Sequence, residues 1–225
     1  MSMSRYYCLF LVLLVLACAD QTTVIEQPPP SSQKSASTNA NTYVYQCSKS
    51  YQFVARVEND NVWLFLPGQT ISLPQVTSAS GAKYTNGKIT FWSKGEEALL
   101  QTPSQTYRNC TNNRRAAISE HAKLNGVDFR ATGNEPGWHL EITQGQNILF
   151  VTNYGQDHYT FKTPEPETRP DQAQTLYRIQ NDHHKLTIML EGKPCGDTMA
   201  DESYSTTVTV TLNDKTYLGC GRPLH

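Results

Sequence analysis

Short apolar runs separated by turn-forming residues are the feature that most constrains how this chain can fold. Within residues 43–110, runs such as 53–57, 62–66 and 88–92 show the every-second-residue alternation of a half-buried β-strand. Turn signals separate the runs, at Asn59-Asp60-Asn61, Pro67-Gly68, Ser80-Gly81 and Asn86-Gly87. Seven or eight such strands in about seventy residues cannot form a wide two-layer sandwich. The block therefore predicts a compact antiparallel barrel of about eight strands.

A second series of strand-like runs occupies the C-terminal half of the chain. It extends from Phe129 to Leu218, and Asn213-Asp214 favours a hairpin turn near its end. Residues 112–126 lie between the two series and predict a short linking helix with Asn at its start and Gly at its end. The expected fold class is all-β, with two small antiparallel domains joined by that helix, at residues 42–112 and 113–225.

The N-terminal segment has the pattern of a targeting sequence and predicts export. Residues 8–17 form an apolar run that is too short for a comfortable permanent membrane span. The run ends in Val-Leu-Ala-Cys at 15–18, which resembles the bacterial lipobox, where a signal peptidase cuts before a cysteine that carries lipid. The resemblance implies a signal peptide at 1–17 and a lipid on Cys18, and an ordinary cleaved signal is the alternative. Ala19 after the cysteine favours the outer membrane.

The stretch that follows predicts a disordered tether. Residues 18–41 contain three consecutive prolines and many Ser, Thr, Asn and Gln, without hydrophobic periodicity. Such a segment cannot bury enough apolar surface to offset the entropy lost on ordering. As a flexible coil it spans roughly 25 Å on average and would hold a folded domain clear of a membrane surface.

The cysteines beyond the targeting segment predict two disulfides. An even number of cysteines in an exported chain indicates paired thiols, and four allow three connectivities. We favour the connectivity in which each pair encloses one block of strands. These pairs are Cys47–Cys110 and Cys195–Cys220.

Five short motifs lie within the first block of strands. They are YQC at 45–47, LPQV at 73–76, SASGAKY at 78–84, FWSKGEEA at 91–98 and YRNC at 107–110. In combination they resemble the MliC/PliC group, membrane-bound or periplasmic inhibitors of c-type lysozyme. The resemblance covers about 70 residues. It implies a binding protein with c-type lysozyme as its partner, no catalytic residue and no cofactor.

The resemblance also implies which residues enter the lysozyme cleft. A Ser of the Ser-Gly-Ala loop and a Lys after the Phe-Trp pair correspond to Ser80 and Lys94, with Gly81 beside them and Tyr84 lining the contact. Lysozyme works with one protonated and one ionised carboxyl group. A hydroxyl can pair with either state, and an ammonium can oppose the ionised one. The Asn86-Gly87 turn would join the two motifs in a hairpin that presents both residues on one edge.

The second block carries a GNEPGW motif at 133–138, which resembles uncharacterised bacterial envelope domains. Glu135 and Asp197 could form a carboxylate pair for glycoside hydrolysis, but no spacing supports that pairing. His183 and His184 are expected to be solvated and to bind no metal, because adjacent residues of a strand point to opposite faces.

Charge and composition limit the remaining function classes. The formal net charge of -1 indicates no basic surface for nucleic acid. The leading hypothesis is an inhibitor anchored in the cell envelope through Cys18. A surface adhesin or structural envelope lipoprotein that reuses the same scaffold is the alternative.

The lipobox resemblance generates a direct test. Cys18→Ala should release the protein from membranes and leave its folded domains intact, because the thiol is the only proposed attachment point. Membrane fractionation measures the release, and mass spectrometry of the wild-type chain measures the modification. An unmodified Cys18, or a mature chain that starts elsewhere, would contradict the prediction.

Overall fold

The computed structural model describes residues 40–197 and 202–225. The predictions for the signal peptide, for Cys18 and for most of the tether lie outside these residues. Within them the chain is mostly β-strand with a single α-helix. No helix in this part of the chain is both long enough and apolar enough to cross a membrane.

The first block folds into a closed antiparallel barrel in which each strand pairs with the next and the eighth returns to the first. This confirms the barrel and its strand number. The strands are β1 (Asn41–Gln46), β2 (Gln52–Glu58), β3 (Asn61–Leu66), β4 (Gln69–Val76), β5 (Ala82–Thr85), β6 (Thr90–Lys94), β7 (Glu97–Gln101) and β8 (Thr106–Asn112).

The barrel interior is filled with side chains. Period-two alternation points Val62, Leu64 and Leu66 of β3 inward, where they are buried. The rings of Tyr45, Phe53 and Phe91 pack at the centre, with centroids 5.4 to 6.0 Å apart. Each fully buried ring or aliphatic side chain contributes about 1.5–3 kcal/mol relative to exposure. The interior is thus a packed core, and any binding surface of the barrel lies on its outside or at its ends.

Both predicted disulfides are present. Cys47–Cys110 joins the end of β1 to β8, 63 residues apart in sequence. Cys195–Cys220 joins two strands of the second block and spans 25 residues. Each disulfide therefore lies within one block of strands, as predicted from the sequence.

The linking helix α1 (Arg114–Leu124) forms where the sequence predicted it. The side chain of Asn113 caps its start by accepting a hydrogen bond from the Ala116 amide at 3.1 Å. The helix lies against the barrel, because Thr42 Oγ1 of β1 is 3.1 Å from His121 Nδ1. Arg56 of β2 also donates to the Asn125 side chain just beyond the helix, at 2.9 Å.

The second block forms a nine-stranded antiparallel sheet in the order β12-β11-β10-β9-β19-β18-β15-β14-β13, with a separate β16-β17 hairpin. Its edge strands are β12 and β13. The strands are β9 (Phe129–Asn134), β10 (Gly137–Ile142), β11 (Asn147–Thr152), β12 (Asp157–Lys162), β13 (Glu167–Arg169), β14 (Gln174–Gln180), β15 (Lys185–Glu191), β16 (Cys195–Asp197), β17 (Glu202–Tyr204), β18 (Thr206–Leu212) and β19 (Lys215–Pro223).

The two adjacent histidines lie in a turn, which corrects the expectation that they share a strand. Residues 181–184 connect β14 to β15, and the Asn181 side chain accepts hydrogen bonds from the amides of His183 and His184, at 2.9 and 2.7 Å. His183 is exposed as expected, but His184 is half-buried with its ring 5.2 Å from that of Tyr159. The Asx turn thus sets the position of this pair.

The GNEPGW motif has a packing role in the second sheet. The indole of Trp138 is buried and its N–H donates to the Leu218 carbonyl at 3.3 Å. A side chain at Gly133 would collide with this indole and with the Leu218 carbonyl oxygen, and one at Gly219 would collide with the indole and with the Thr132 carbonyl oxygen. Glycines on two adjacent strands therefore make the space that the tryptophan fills.

This packing predicts that a single methyl group added at Gly133 strongly destabilises the fold. Gly133→Ala should lower the free energy of unfolding by about 2 kcal/mol or more, since overpacking against backbone and a buried ring leaves little room for relaxation. Gly196→Ala is the matched control, because no atom of the described residues lies within 4 Å of the added carbon, and it should stay within about 0.5 kcal/mol of wild type. Urea denaturation measures both, and equal losses would contradict this account.

Candidate functional site

Ser80 and Lys94 come together at one end of the barrel. Ser80 and Gly81 lie in the loop between β4 and β5, and Lys94 ends β6. The β5–β6 register pairs Ala82 with Ser93, so the residues just beyond that pair are neighbours. The Asn86-Gly87 turn joins the hairpin as expected, and Ser80 and Lys94 lie at the end opposite to it. We call loop 77–81 together with Lys94 the β4–β6 edge.

Gly81 allows the loop to approach β6 closely. Its φ of +66° lies in the left-handed region, and a Cβ there would collide with the Ser93 carbonyl oxygen and lie 3.2 Å from the Lys94 Cβ. A residue with a side chain would therefore push the loop away from the strand. Gly81 is thus the structural reason that the loop and the lysine are adjacent.

Two side chains hold the loop in place. Ser78 Oγ donates to the carbonyl of Gly81 at 2.9 Å, and the indole N–H of Trp92 donates to the carbonyl of Ser80 at 2.8 Å. These bonds occupy the main chain of the loop, so the exposed Ser80 hydroxyl is presented on a fixed backbone. The loop is ordered before any partner arrives, which reduces the entropy cost of binding.

Trp92 is a site residue that the sequence interpretation missed. Phe91 is fully buried, whereas Trp92, the next residue of the same strand, is 39% exposed on the outer face. The Lys83 ammonium lies 6.0 Å from its ring centroid. The signal was available, because adjacent residues of one strand must point to opposite faces.

Tyr84 does not fit the contact role that the resemblance implied. Its side chain is only 3% exposed, and its ring packs 6.0 Å from that of Phe91 inside the barrel. Burial, followed by the nearby Tyr43 and Asp60, raises its pKa. Tyr84 therefore supports the β5–β6 hairpin from within, and its ring is not available to line an external contact.

The charges at the β4–β6 edge favour an anionic partner group. Lys94 is exposed, and within residues 40–197 and 202–225 no carboxylate lies within ion-pair distance of it. The nearby Glu96 pairs with Arg114 at the start of the helix, at 2.5 Å, and accepts a hydrogen bond from Asn112 at the end of β8, at 2.9 Å. The hydrogen bonds from Arg114 and Asn112 lower the pKa of Glu96. Lys94 and Arg108 also border a cavity of about 260 Å³, together with one acidic residue, Glu97.

The structure describes only one side chain of the carboxylate pair considered for the second block. Glu135 is exposed in the turn between β9 and β10. The side chain of Asp197 lies outside what the structure describes.

The barrel segment is similar to known proteins. Residues 45–109 match a family described as membrane-bound lysozyme-inhibitor of c-type lysozyme. Among curated proteins, a membrane-bound lysozyme inhibitor of C-type lysozyme from Yersinia enterocolitica is 41% identical over 69 residues, which is 30% of this chain and 59% of that protein. Proteins of the same name from Pseudomonas aeruginosa and Escherichia coli K12 are each 39% identical over 61 residues, covering 25% and 26% of this chain and 48% and 55% of their own lengths.

These matches confirm the resemblance that the motifs indicated. They also show how much of the chain it covers. The chain spans about half the length of the curated relatives it matches. The match ends before α1 and does not include the second sheet. No solved structure is detectably similar to the chain.

Two variants separate the effect on stability of the close approach at Gly81 from the effect of its backbone conformation. Gly81→Ala and Gly95→Ala both place a side chain at positive φ, +66° and +59°, which costs about 1–2 kcal/mol of stability in each case. Only Gly81→Ala adds the collision with Ser93, because the space at Gly95 is open, so it should lose about 1–3 kcal/mol more. Equal urea midpoints for the two variants would contradict the packing argument.

Proposed function

We propose that this chain inhibits c-type lysozyme by placing the β4–β6 edge in the active-site cleft of the enzyme. The observation that carries the proposal is the juxtaposition of Ser80 and Lys94 on a locked loop and a strand end. It is supported by the names of the relatives that are similar to the barrel segment. The chain acts in this proposal as a binding protein and not as an enzyme.

The chemistry of the two side chains suits the two carboxyl groups of the enzyme. The Lys94 ammonium opposes the ionised carboxylate, and excluding water from the cleft strengthens this charge-assisted contact. The Ser80 hydroxyl can donate to a carboxylate or accept from a carboxylic acid. Because the bonds from Ser78 and Trp92 fix the loop backbone, little ordering entropy remains to oppose the contact.

We further propose that a lipid on Cys18 anchors the protein in the cell envelope, with the outer membrane favoured. The first barrel strand begins at Asn41, so residues 18–41 would separate the anchor from the barrel. A flexible tether of that length spans roughly 25 Å. The term membrane-bound in the names of the relatives supports an anchored protein.

The proposal predicts a ranking of two variants. Lys94→Ala leaves a carboxylate buried in the cleft without its partner, which costs about 2–5 kcal/mol of binding. At about 1.4 kcal/mol per tenfold, the inhibition constant should rise about thirtyfold or more. Ser80→Ala should cost about 1–3 kcal/mol and rank below it. The measurement is the rate at which c-type lysozyme clears a suspension of bacterial cell walls, with and without each variant.

Lys88→Ala is the matched control. It also removes an exposed lysine from the β5–β6 hairpin, but at the Asn86-Gly87 end, and it should inhibit like wild type. If the chain were an adhesin or a structural protein, neither the wild type nor any variant would change the rate at which lysozyme clears the cell-wall suspension. If Lys94→Ala and Ser80→Ala keep the wild-type Tm and still inhibit fully, the β4–β6 edge is not the inhibitory surface.

A further inference from the structure

A cavity of about 500 Å³ lies between α1 and the second sheet, and it shares no lining residue with the β4–β6 edge. Its walls come from α1, β9, β10, β17, β19 and the turn after β11. A volume of this size is typical of small-molecule sites, which occupy about 300–1,000 Å³. The segment that matches known proteins ends before every one of its walls.

The cavity wall is cationic. Three guanidinium groups line it, from Arg115 of the helix, Arg130 of β9 and Arg222 of β19, and its described lining residues include no Asp or Glu. Guanidinium groups present five N–H donors in a planar fork that matches carboxylate and phosphate oxygens. The lining chemistry therefore favours an anion.

Arg130 and Arg222 are held in place from behind by acidic residues. Arg130 Nη1 contacts Glu141 Oε1 at 2.6 Å, with only 13% and 23% of the two side chains exposed. Arg222 pairs with Glu202, and its guanidinium lies 4.4 Å from the ring centroid of Tyr204. The ion pairs fix where the donors point, which is the preorganisation that a binding site requires.

A strained aromatic residue borders the same cavity. Asn153, Tyr154 and Gly155 have consecutive φ values of 52°, 56° and 90°, all in the left-handed region. A bulky residue there is an outlier, and such strain clusters at ligand sites. The Tyr154 ring is 76% exposed and lies over Gly137, where a Cβ would be 2.8 Å from the ring. The ring thus offers an open face beside the guanidinium groups.

His139 completes the wall with a group that is neutral at pH 7. Burial, followed by the charges of Arg130 and His158, lowers its pKa to about 4. The imidazole adds one donor and one acceptor to the wall without changing the charge balance.

We infer that this cavity binds a small anionic ligand that carries a flat ring, with its carboxylate or phosphate group against Arg130 and Arg222 and its ring on Tyr154. The recognition elements are a guanidinium fork for the anion and an aromatic face for the ring. This function is independent of lysozyme inhibition, since the two sites share no residue.

Phenyl phosphate, benzoate and the uncharged benzamide are suitable probes, titrated into the purified full chain and followed by amide chemical shifts in NMR spectra. At least one of the two anions should bind saturably with a Kd below about 1 mM and shift the amides of residues 130–139 and 153–155. Benzamide should bind about tenfold more weakly, because it lacks the charge-assisted bonds. The tighter anion identifies phosphate or carboxylate as the preferred group. Binding of all three probes with equal affinity, or no shifts at these amides, would overturn the inference.

Two variants of residues that line the cavity test the inference and leave Arg130, Arg222 and their acidic partners in place. Tyr154→Gly removes the ring and suits the positive φ, so it should keep or raise the Tm while weakening the anionic probe about threefold or more. Arg115→Gln should weaken the anionic probe by a similar factor and leave benzamide unchanged. Arg169→Gln is the matched control, because this exposed arginine of β13 does not line the cavity. If both cavity variants bind like Arg169→Gln, the cavity is not the site.

Discussion

The return of β8 to β1 is the constraint on which the arrangement of the barrel depends. Tyr45 and Gln46 pair with Asn112 and Thr111, and the Cys47–Cys110 disulfide holds the same two strands together. Cross-linking residues this far apart restricts the unfolded chain by about 4 kcal/mol in the chain-entropy model. Once the barrel is closed, the register of every hairpin is coupled to that of its neighbours. A slip of one residue between β5 and β6 would turn Phe91 outward and move Ser93 away from Ala82. The placement of two surface residues thus depends on a closure made by strands at the ends of the domain.

The helix α1 contributes residues to two different parts of the structure. His121 contacts β1 of the barrel, whereas Arg115 lines the cavity against the second sheet. Arg114 binds Glu96 in the β6–β7 turn and directs that carboxylate toward the helix and away from Lys94. A short linking helix therefore shapes the electrostatics of both the β4–β6 edge and the cavity.

Much of the fold followed from the sequence, because alternation, turn residues and cysteine positions are local signals. The barrel, the helix with its Asn cap and the two disulfides were predicted correctly. The structure differs from the sequence interpretation where membership of a motif was used in place of the alternation along a strand. Tyr84 was assigned to the lysozyme contact from its motif, although its side chain is 3% exposed and lies inside the barrel. The cavity could not be predicted, since β19 pairs with β9 across some ninety residues of intervening chain, and only that pairing brings Arg222 beside Arg130.

The two blocks of strands also differ in how their hydrogen-bonding edges end. A closed barrel has no unpaired edge, but the nine-stranded sheet ends at β12 and β13, whose outer backbone groups could template another chain. Both strands carry exposed charges at these edges, including Asp157 and Lys162 on β12 and Glu167 and Arg169 on β13. A strand added at either edge would lie beside charged side chains of both signs. Its addition would desolvate these charges, which opposes association. The open sheet is thereby protected against fibril-like association at high local concentration, and the barrel needs no such protection.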